Sequence, residues 1–184
     1  MGRKLKVTEM GRLTVEEFHR VEKMPLVVVL DNVRSMYNVG SVFRTADAYR
    51  VERIMLCGIT GRPPHPEIHK TALGAEDSVD WQYCTDANEA VQMLKSDGYL
   101  VYAIEQAEGS ISLEKFQVKN SYSKLAVVLG NEVKGVQQSV VDLCDGCIEL
   151  PQFGTKHSLN VSTAAGIVIW ELFKQRMNNT DLWN

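Results

Sequence analysis

Three stretches of this 184-residue chain gather the residue types that hold ligands: DNVRSMYNVGSVFRTA from Asp31, GNEVKGV from Gly130 and PQFGTKHSLNVSTAAG from Pro151. Each follows an apolar run (LVVVLD, LAVVLG and CIEL), and each is rich in Gly, Asn, Ser and Thr. Glycine permits tight backbone paths, and short amide and hydroxyl side chains supply local hydrogen bonds. If the apolar runs are parallel strands, all three stretches lie at carboxyl ends of strands, where open α/β sheets bind their ligands. In the first stretch, Asn38 and Arg44 set an amide and a cation into an otherwise apolar strand-helix-strand unit. The plain alternatives are a helix cap for Asn38, a solvated helix cation for Arg44, and simple turn chemistry for Ser158 and Asn160.

Other patterns weigh less. The dinucleotide fingerprint GxGxxG and the phosphate loop GxxxxGK[ST] are both absent, which argues against an ordinary nicotinamide enzyme or a nucleotide-cleaving ATPase. Cys144 and Cys147 form CDGC, a spacing compatible with a redox pair. They fall where a helix runs into the strand CIEL, however, not at a helix N-terminus that would lower a thiol pKa, and a structural role is expected. His65 and His69 have helical metal spacing, but Pro63, Pro64 and Pro66 surround the first of them; a loop is expected there and no metal site.

The elements that must position these loops read as follows. Thr14 and Glu17 form a capping box that opens a short helix, TVEEFHRVEK, ended by Pro25. LVVVLD is a continuous apolar run, as expected of a strand buried on both faces, and similar runs recur at RIMLCG, YLVYAIE and LAVVLG. Helical stretches lie between them, around Val39 to Tyr49, Asp86 to Gly98 and Val136 to Leu143. The alternation predicts an α/β fold with a mainly parallel sheet flanked by helices. The last element, LNVSTAAGIVIWELFKQRM, is apolar around much of its circumference and must be covered on more than one side, by the sheet and by a partner subunit. A single domain is expected from the length. The net charge of −3 does not mark a strongly basic nucleic-acid binder, though a local basic patch remains compatible with it. No apolar run approaches the roughly 20 residues of a bilayer span. The basic N-terminus lacks a secretory apolar core, and the four cysteines suit a reducing compartment, so a cytoplasmic protein is expected.

Taken in order, NxGxxxRxA (Asn38, Gly40, Arg44, Ala46), LGNE followed by KG, and LP…SLNVSTAAG resemble the SpoU family of RNA ribose 2′-O-methyltransferases, within the SPOUT superfamily, from about Leu26 to Arg176. The resemblance implies a C-terminal trefoil knot with the final helix threaded through a loop, against the general rule that chains do not knot. It implies S-adenosylmethionine as cofactor, held at Leu129, Gly130, Asn131, Leu150, Gly154, Ser158 and Leu159, with no metal. It also implies a homodimer through the C-terminal helix and knot region, with part of each site at the subunit boundary.

By the same resemblance Arg44, Asn38, Ser158, Asn160 and Glu132 are the catalytic group. A guanidinium titrates above about 12, so using one as a base near neutral pH costs roughly 7 kcal/mol. Arg44 is therefore expected to hold an RNA phosphate and stabilise the developing alkoxide. Asn38 orients Arg44 or the ribose, Asn160 caps the last helix, Ser158 touches the target nucleotide, and Glu132 shapes the site. Val133 stands where the family commonly has glycine, which puts the local loop path in doubt. RNA backbone is expected to meet Arg44, Arg62 and Lys70, with His65, His69 and the N-terminal Arg3, Lys4, Lys6 and Arg12 as lesser contributors. The expected organisation is an arm and short helix over 1–24, a catalytic domain over 25–177 with no added RNA-binding domain, and a tail over 178–184. Transfer RNA is the favoured substrate; the alternatives are ribosomal RNA and an inactive methyltransferase-like RNA-binding protein.

Overall fold

The computed structural model describes residues 2–177, so the tail expected over 178–184 lies outside the described residues. The elements run, in chain order, α1 (Val15–Arg20), β1 (Met24–Asp31), α2 (Met36–Ala48), β2 (Val51–Cys57), α3 (Pro66–Ala72), α4 (Ala75–Ser78), β3 (Asp80–Cys84), α5 (Ala87–Ser96), β4 (Leu100–Ile104), β5 (Ile111–Ser112), β6 (Leu125–Leu129), α6 (Gln138–Leu143), β7 (Gly146–Glu149) and α7 (Val161–Met177). The strands form one parallel sheet in the order β3-β2-β1-β6-β4-β7-β5. Successive strands step outward from β1 on one side, and the rest of the chain fills the other side beyond β6. The switch in direction therefore falls between β1 and β6, the place where such sheets open a crevice at their carboxyl edge.

Strand β1 shows why the sheet is covered on both faces. Leu26, Val28 and Leu30 pack with Val39, Val42 and Phe43 of α2 and Val168 and Leu172 of α7. Val27 and Val29 turn the other way, onto Ala87, Ala90, Val91 and Leu94 of α5 and Val140 of α6. A two-residue period buried on both sides is what an uninterrupted apolar run encodes. Register pairs Leu30 with Leu129 and Asp31 with Cys57, so the three central strands end nearly level, and the loops that follow them emerge together.

The capping box forms as its residues suggest: the Thr14 hydroxyl accepts from Glu17 N–H at 3.2 Å and the Glu17 carboxylate accepts from Thr14 N–H at 2.8 Å. Helix α1 nevertheless stops at Arg20, short of Lys23, because Val21 is already extended and Met24 and Pro25 belong to β1. The segment expected as a loop around His65 and His69 is instead largely helical. Pro66 opens α3 at a position where its missing N–H costs nothing, and His65 caps the helix through Nδ1, which accepts from Glu67 N–H at 3.2 Å. Strands β3 and β5 were not anticipated; both lie at sheet edges, and β3 exposes its first three residues, so neither carries a buried apolar run.

Gly40 of the NxGxxxRxA stretch has a packing reason. A Cβ there would lie 2.2 Å from the backbone oxygen of Ile68 and 2.2 Å from Thr71 Oγ1, so α2 and α3 approach closely only with glycine at this point. Helix α7 buries Val161, Ala165, Val168, Ile169 and Leu172, yet leaves Ile167 and Trp170 40% and 46% exposed. Trp170 stands beside Tyr49, with ring centroids 5.6 Å apart.

Candidate active site

A cleft of about 1000 Å³ opens at the carboxyl ends of β4, β6 and β7. Of the residues expected at a cofactor, Leu129, Gly130, Asn131, Leu150, Ser158 and Leu159 line it, whereas Gly154 does not. Glu105 and Gln106, just after β4, line it as well. YLVYAIE reads as a strand like the others and QAEGSIS follows it, but none of the motifs that singled out the three loops falls at its carboxyl end, so sequence reasoning passed over them. Gly130 allows its backbone to pass against the turn that follows: a Cβ would lie 2.0 Å from Gly135 C and 2.1 Å from Val136 N.

The loops after β1 and β6 are tied together side by side. Asp31, fully buried, accepts from Gln137 N–H at 3.1 Å and from Gln137 Nε2 at 2.9 Å, and Asn131 Nδ2 donates to Asn32 O at 2.8 Å. The Glu132 carboxylate reaches the first turn of α2, accepting from the N–H groups of Arg34 and Ser35 and from Asn38 Nδ2, each at 3.0 Å. An anion at a helix N-terminus satisfies N–H groups that have no partner inside the helix. Burial would push the Glu132 carboxyl up, but these donors outweigh it and hold the group below the usual carboxylate range.

Asn38 carries the connection to the third loop. Its Oδ1 accepts from Asn160 Nδ2 at 3.1 Å, across 122 residues of sequence. Asn160 Oδ1 in turn accepts from Ser162 N–H at 2.9 Å and Thr163 N–H at 3.3 Å, capping α7. Glu132, Asn38 and Asn160 thus form one chain of hydrogen bonds through all three stretches. The cap of α2 itself is Ser35, whose side chain accepts from Asn38 N–H, so Asn38 sits inside the first turn and does not cap it.

Val133 creates no backbone difficulty. It is absent from the residues with positive φ; Gly135, with φ 68°, takes that conformation instead, and Asn131 Oδ1 accepts from Val133 N–H and Lys134 N–H to close the turn. The loop path at Val133 is therefore one that a β-branched residue adopts without strain.

Arg44 lies outside the cleft. It is exposed on α2, in a shallow groove shared with Ser41, Lys70, Thr71 and Gly166, and has no hydrogen bond or ion pair among the described residues. Lys70 is thus brought to Arg44, while Arg62 lies elsewhere, 4.2 Å over the ring of Tyr83. His69 pairs with Glu76 at 2.6 Å. All four cysteines are free. Burial pushes the Cys144 thiol up to about 12 and raises Cys147 as well, the opposite of what a thiolate redox pair requires.

Comparison with known proteins agrees with this arrangement. The model of the SpoU rRNA Methylase family matches residues 25–170. The chain is 33% identical over 170 residues to the tRNA (guanosine(18)-2′-O)-methyltransferase of Thermus thermophilus, covering 92% of this chain and 85% of that one. It is 30% identical to the 23S rRNA (guanosine-2′-O-)-methyltransferase RlmB of Pseudomonas putida, where it covers 90% of this chain and spans 66% of the longer relative. Among solved structures, the A. aeolicus TrmH/SpoU tRNA modifying enzyme superimposes with a TM-score of 0.78 at 25% identity, over 89% of this chain and 81% of that one. The SpoU methyltransferase AviRb of Streptomyces viridochromogenes, solved in complex with the cofactor AdoMet, shares the fold with a TM-score of 0.76 at 21% identity, over 87% of this chain and 64% of that one. With three motif loops joined at one sheet edge and a family match across most of its length, the chain belongs to the SpoU rRNA Methylase family.

Proposed function

We propose that this protein transfers a methyl group from S-adenosylmethionine to a ribose 2′-hydroxyl of RNA, with transfer RNA as substrate. The observation that carries the reading is the hydrogen-bonded chain from Glu132 through Asn38 to Asn160 at the rim of the cleft. The cofactor suits the cleft in two respects. Leu129, Leu150 and Leu159 provide apolar surface for an adenosine, and Glu105 and Glu132 are acidic groups for a sulfonium cation. When bound, S-adenosylmethionine supplies the electrophilic methyl group.

The chain's own residues then position and stabilise. Leu129, Gly130, Asn131, Leu150, Ser158 and Leu159 hold the cofactor, and Ser158 presents its hydroxyl to the target nucleotide. Arg44, with Lys70 beside it, binds an RNA phosphate and faces the charge building on the ribose oxygen as its proton leaves late, to water or phosphate. Fixed charge and fixed orientation of this kind supply most of the barrier reduction in such a transfer. Because Arg44 lies in a separate groove, we assign it to the cleft of a second copy. The exposed Ile167 and Trp170 of α7, adjoining that groove at Gly166, support a homodimer through this helix. The reading includes a trefoil knot formed by the loops after β6 and β7 with α7, supported by the bond from Gln106 Nε2 to His157 O and that from Asn160 to Asn38. It assigns catalysis to residues 25–177, with 1–24 as an arm, and a cytoplasmic location, supported by four unbonded thiols. Transfer RNA is preferred on the 33% identity over 170 residues to the Thermus thermophilus tRNA enzyme.

The test is transfer of labelled methyl from S-adenosylmethionine to bulk tRNA and, separately, to ribosomal RNA, both from a strain lacking the gene. Label in tRNA that survives as an alkali-resistant dinucleotide is the expected result. Label in ribosomal RNA alone would replace the substrate and keep the chemistry, and label in neither would reject the activity.

A further inference from the structure

Phe153 is 98% exposed, more than any other large apolar side chain among the described residues. It has no ring or cation partner there. Its loop is held at the cleft: Gln152 and His157 line that space, Gln106 Nε2 donates to His157 O at 2.9 Å, and Asn160 anchors the far end on α7. The ring is therefore carried out into solvent by a segment fastened on both sides of the cofactor cleft.

What covers such a ring follows from its surroundings. Its chain neighbours Gln152, Gly154 and Thr155 are polar or small, and the exposed Ile167 and Trp170 that suit a second copy are on α7. Lys156, exposed three residues on, adds a cation. A lone aromatic face beside a lysine, at the rim of a site that takes a ribose, fits an unstacked nucleobase with its phosphate. The chemistry also asks for one. A ribose can enter the cleft only if its nucleotide leaves the RNA stack, and an aromatic platform replaces part of the stacking energy that is lost.

We propose that Phe153 is a positioning residue that stacks on an unstacked RNA base next to the methylated ribose, an inference that rests on the RNA methyltransferase reading above. Stacking of this kind contributes about 1–3 kcal/mol per base, which corresponds to roughly a 5- to 150-fold change. The experiment uses whichever RNA the wild-type protein methylates. Phe153→Ala is expected to raise KM for that RNA about tenfold or more, with the Kd for S-adenosylmethionine and the sedimentation coefficient unchanged. Phe153→Trp is expected to restore KM and Phe153→Leu is not, because only a flat ring stacks. An unchanged KM in Phe153→Ala, full rescue by leucine, or a change of oligomeric state would each overturn the assignment. If the wild-type protein methylates no RNA, the functional reading fails and this inference with it; wild-type activity with an unaffected alanine variant sinks the inference alone.

Discussion

At the scale of the residue, Arg44 and Glu132 do different work and predict different phenotypes. Arg44 is exposed in a groove apart from the cleft, so in its proposed role its removal takes away charge stabilisation and RNA phosphate contact while leaving the cleft walls intact. Arg44→Ala is expected to cut methyl transfer at least about 100-fold, the usual loss for one oriented donor at developing negative charge. Calorimetric affinity for S-adenosylmethionine should stay within about twofold; loss of that affinity would make Arg44 structural. Glu132 is a linkage case. Its carboxyl is held below the usual range by the N–H groups at the start of α2, so it contributes stability that is full above the unfolded value, about 4.5, and that disappears as pH falls through the depressed folded value. Because the group is exposed and solvent screens it, the contribution is about 1 kcal/mol. Glu132→Gln should lower the melting temperature at pH 7, and the gap to wild type should close in acid. A gap that persists unchanged at low pH would show that the carboxylate charge is not what ties the loop to α2.

At the scale of the element, α2 is the part on which the site depends, since it carries Asn38 toward the cleft and Arg44 toward the groove. Its seat is fixed by close approach to α3 at Gly40, where added atoms would meet backbone that cannot swing aside. Gly40→Ala is expected to destabilise the protein by about 1–3 kcal/mol, as overpacking generally does, and to lower the melting temperature by several degrees. A thermal scan that finds wild-type stability would mean that the α2–α3 contact is looser than this spacing implies. The helical segments after β2 matter for the same reason. A loop there would leave Lys70 unplaced, whereas α3 sets it in the groove with Arg44.

At the scale of the whole molecule, the proposed site is split: the cleft lies at one sheet edge and Arg44 in a groove that adjoins α7. In the proposed dimer, pairing of two copies through the exposed face of Ile167 and Trp170 is what brings an Arg44 to a cleft. Trp170→Glu should halve the mass measured by equilibrium sedimentation and abolish transfer, with cofactor affinity retained. A variant that remains dimeric would place the interface elsewhere, and a monomeric but fully active one would show that each copy is complete.

Much of this was legible in the chain itself. Strands β1, β2, β4 and β6, helices α2, α5, α6 and α7 and the capping box at Thr14 follow from periodicities of two and 3.6 residues and from local capping chemistry, which depend on near neighbours. Asn38, Glu132 and Asn160 could likewise be picked out by type and spacing as one group. What they bond to could not. That a carboxylate at position 132 satisfies N–H groups at Arg34 and Ser35, that Asn38 bridges to Asn160, that Gly40 answers to Ile68 and Thr71, and that Arg44 stands apart from the cleft are all outcomes of strand order and helix packing. The amino-acid sequence by itself determined the elements with buried apolar runs or clear periodicity, and the chemical inventory, because those rest on local backbone preference and burial. The tertiary structure alone decided which members of that inventory meet, because contacts across about a hundred residues exist only once the sheet has assembled.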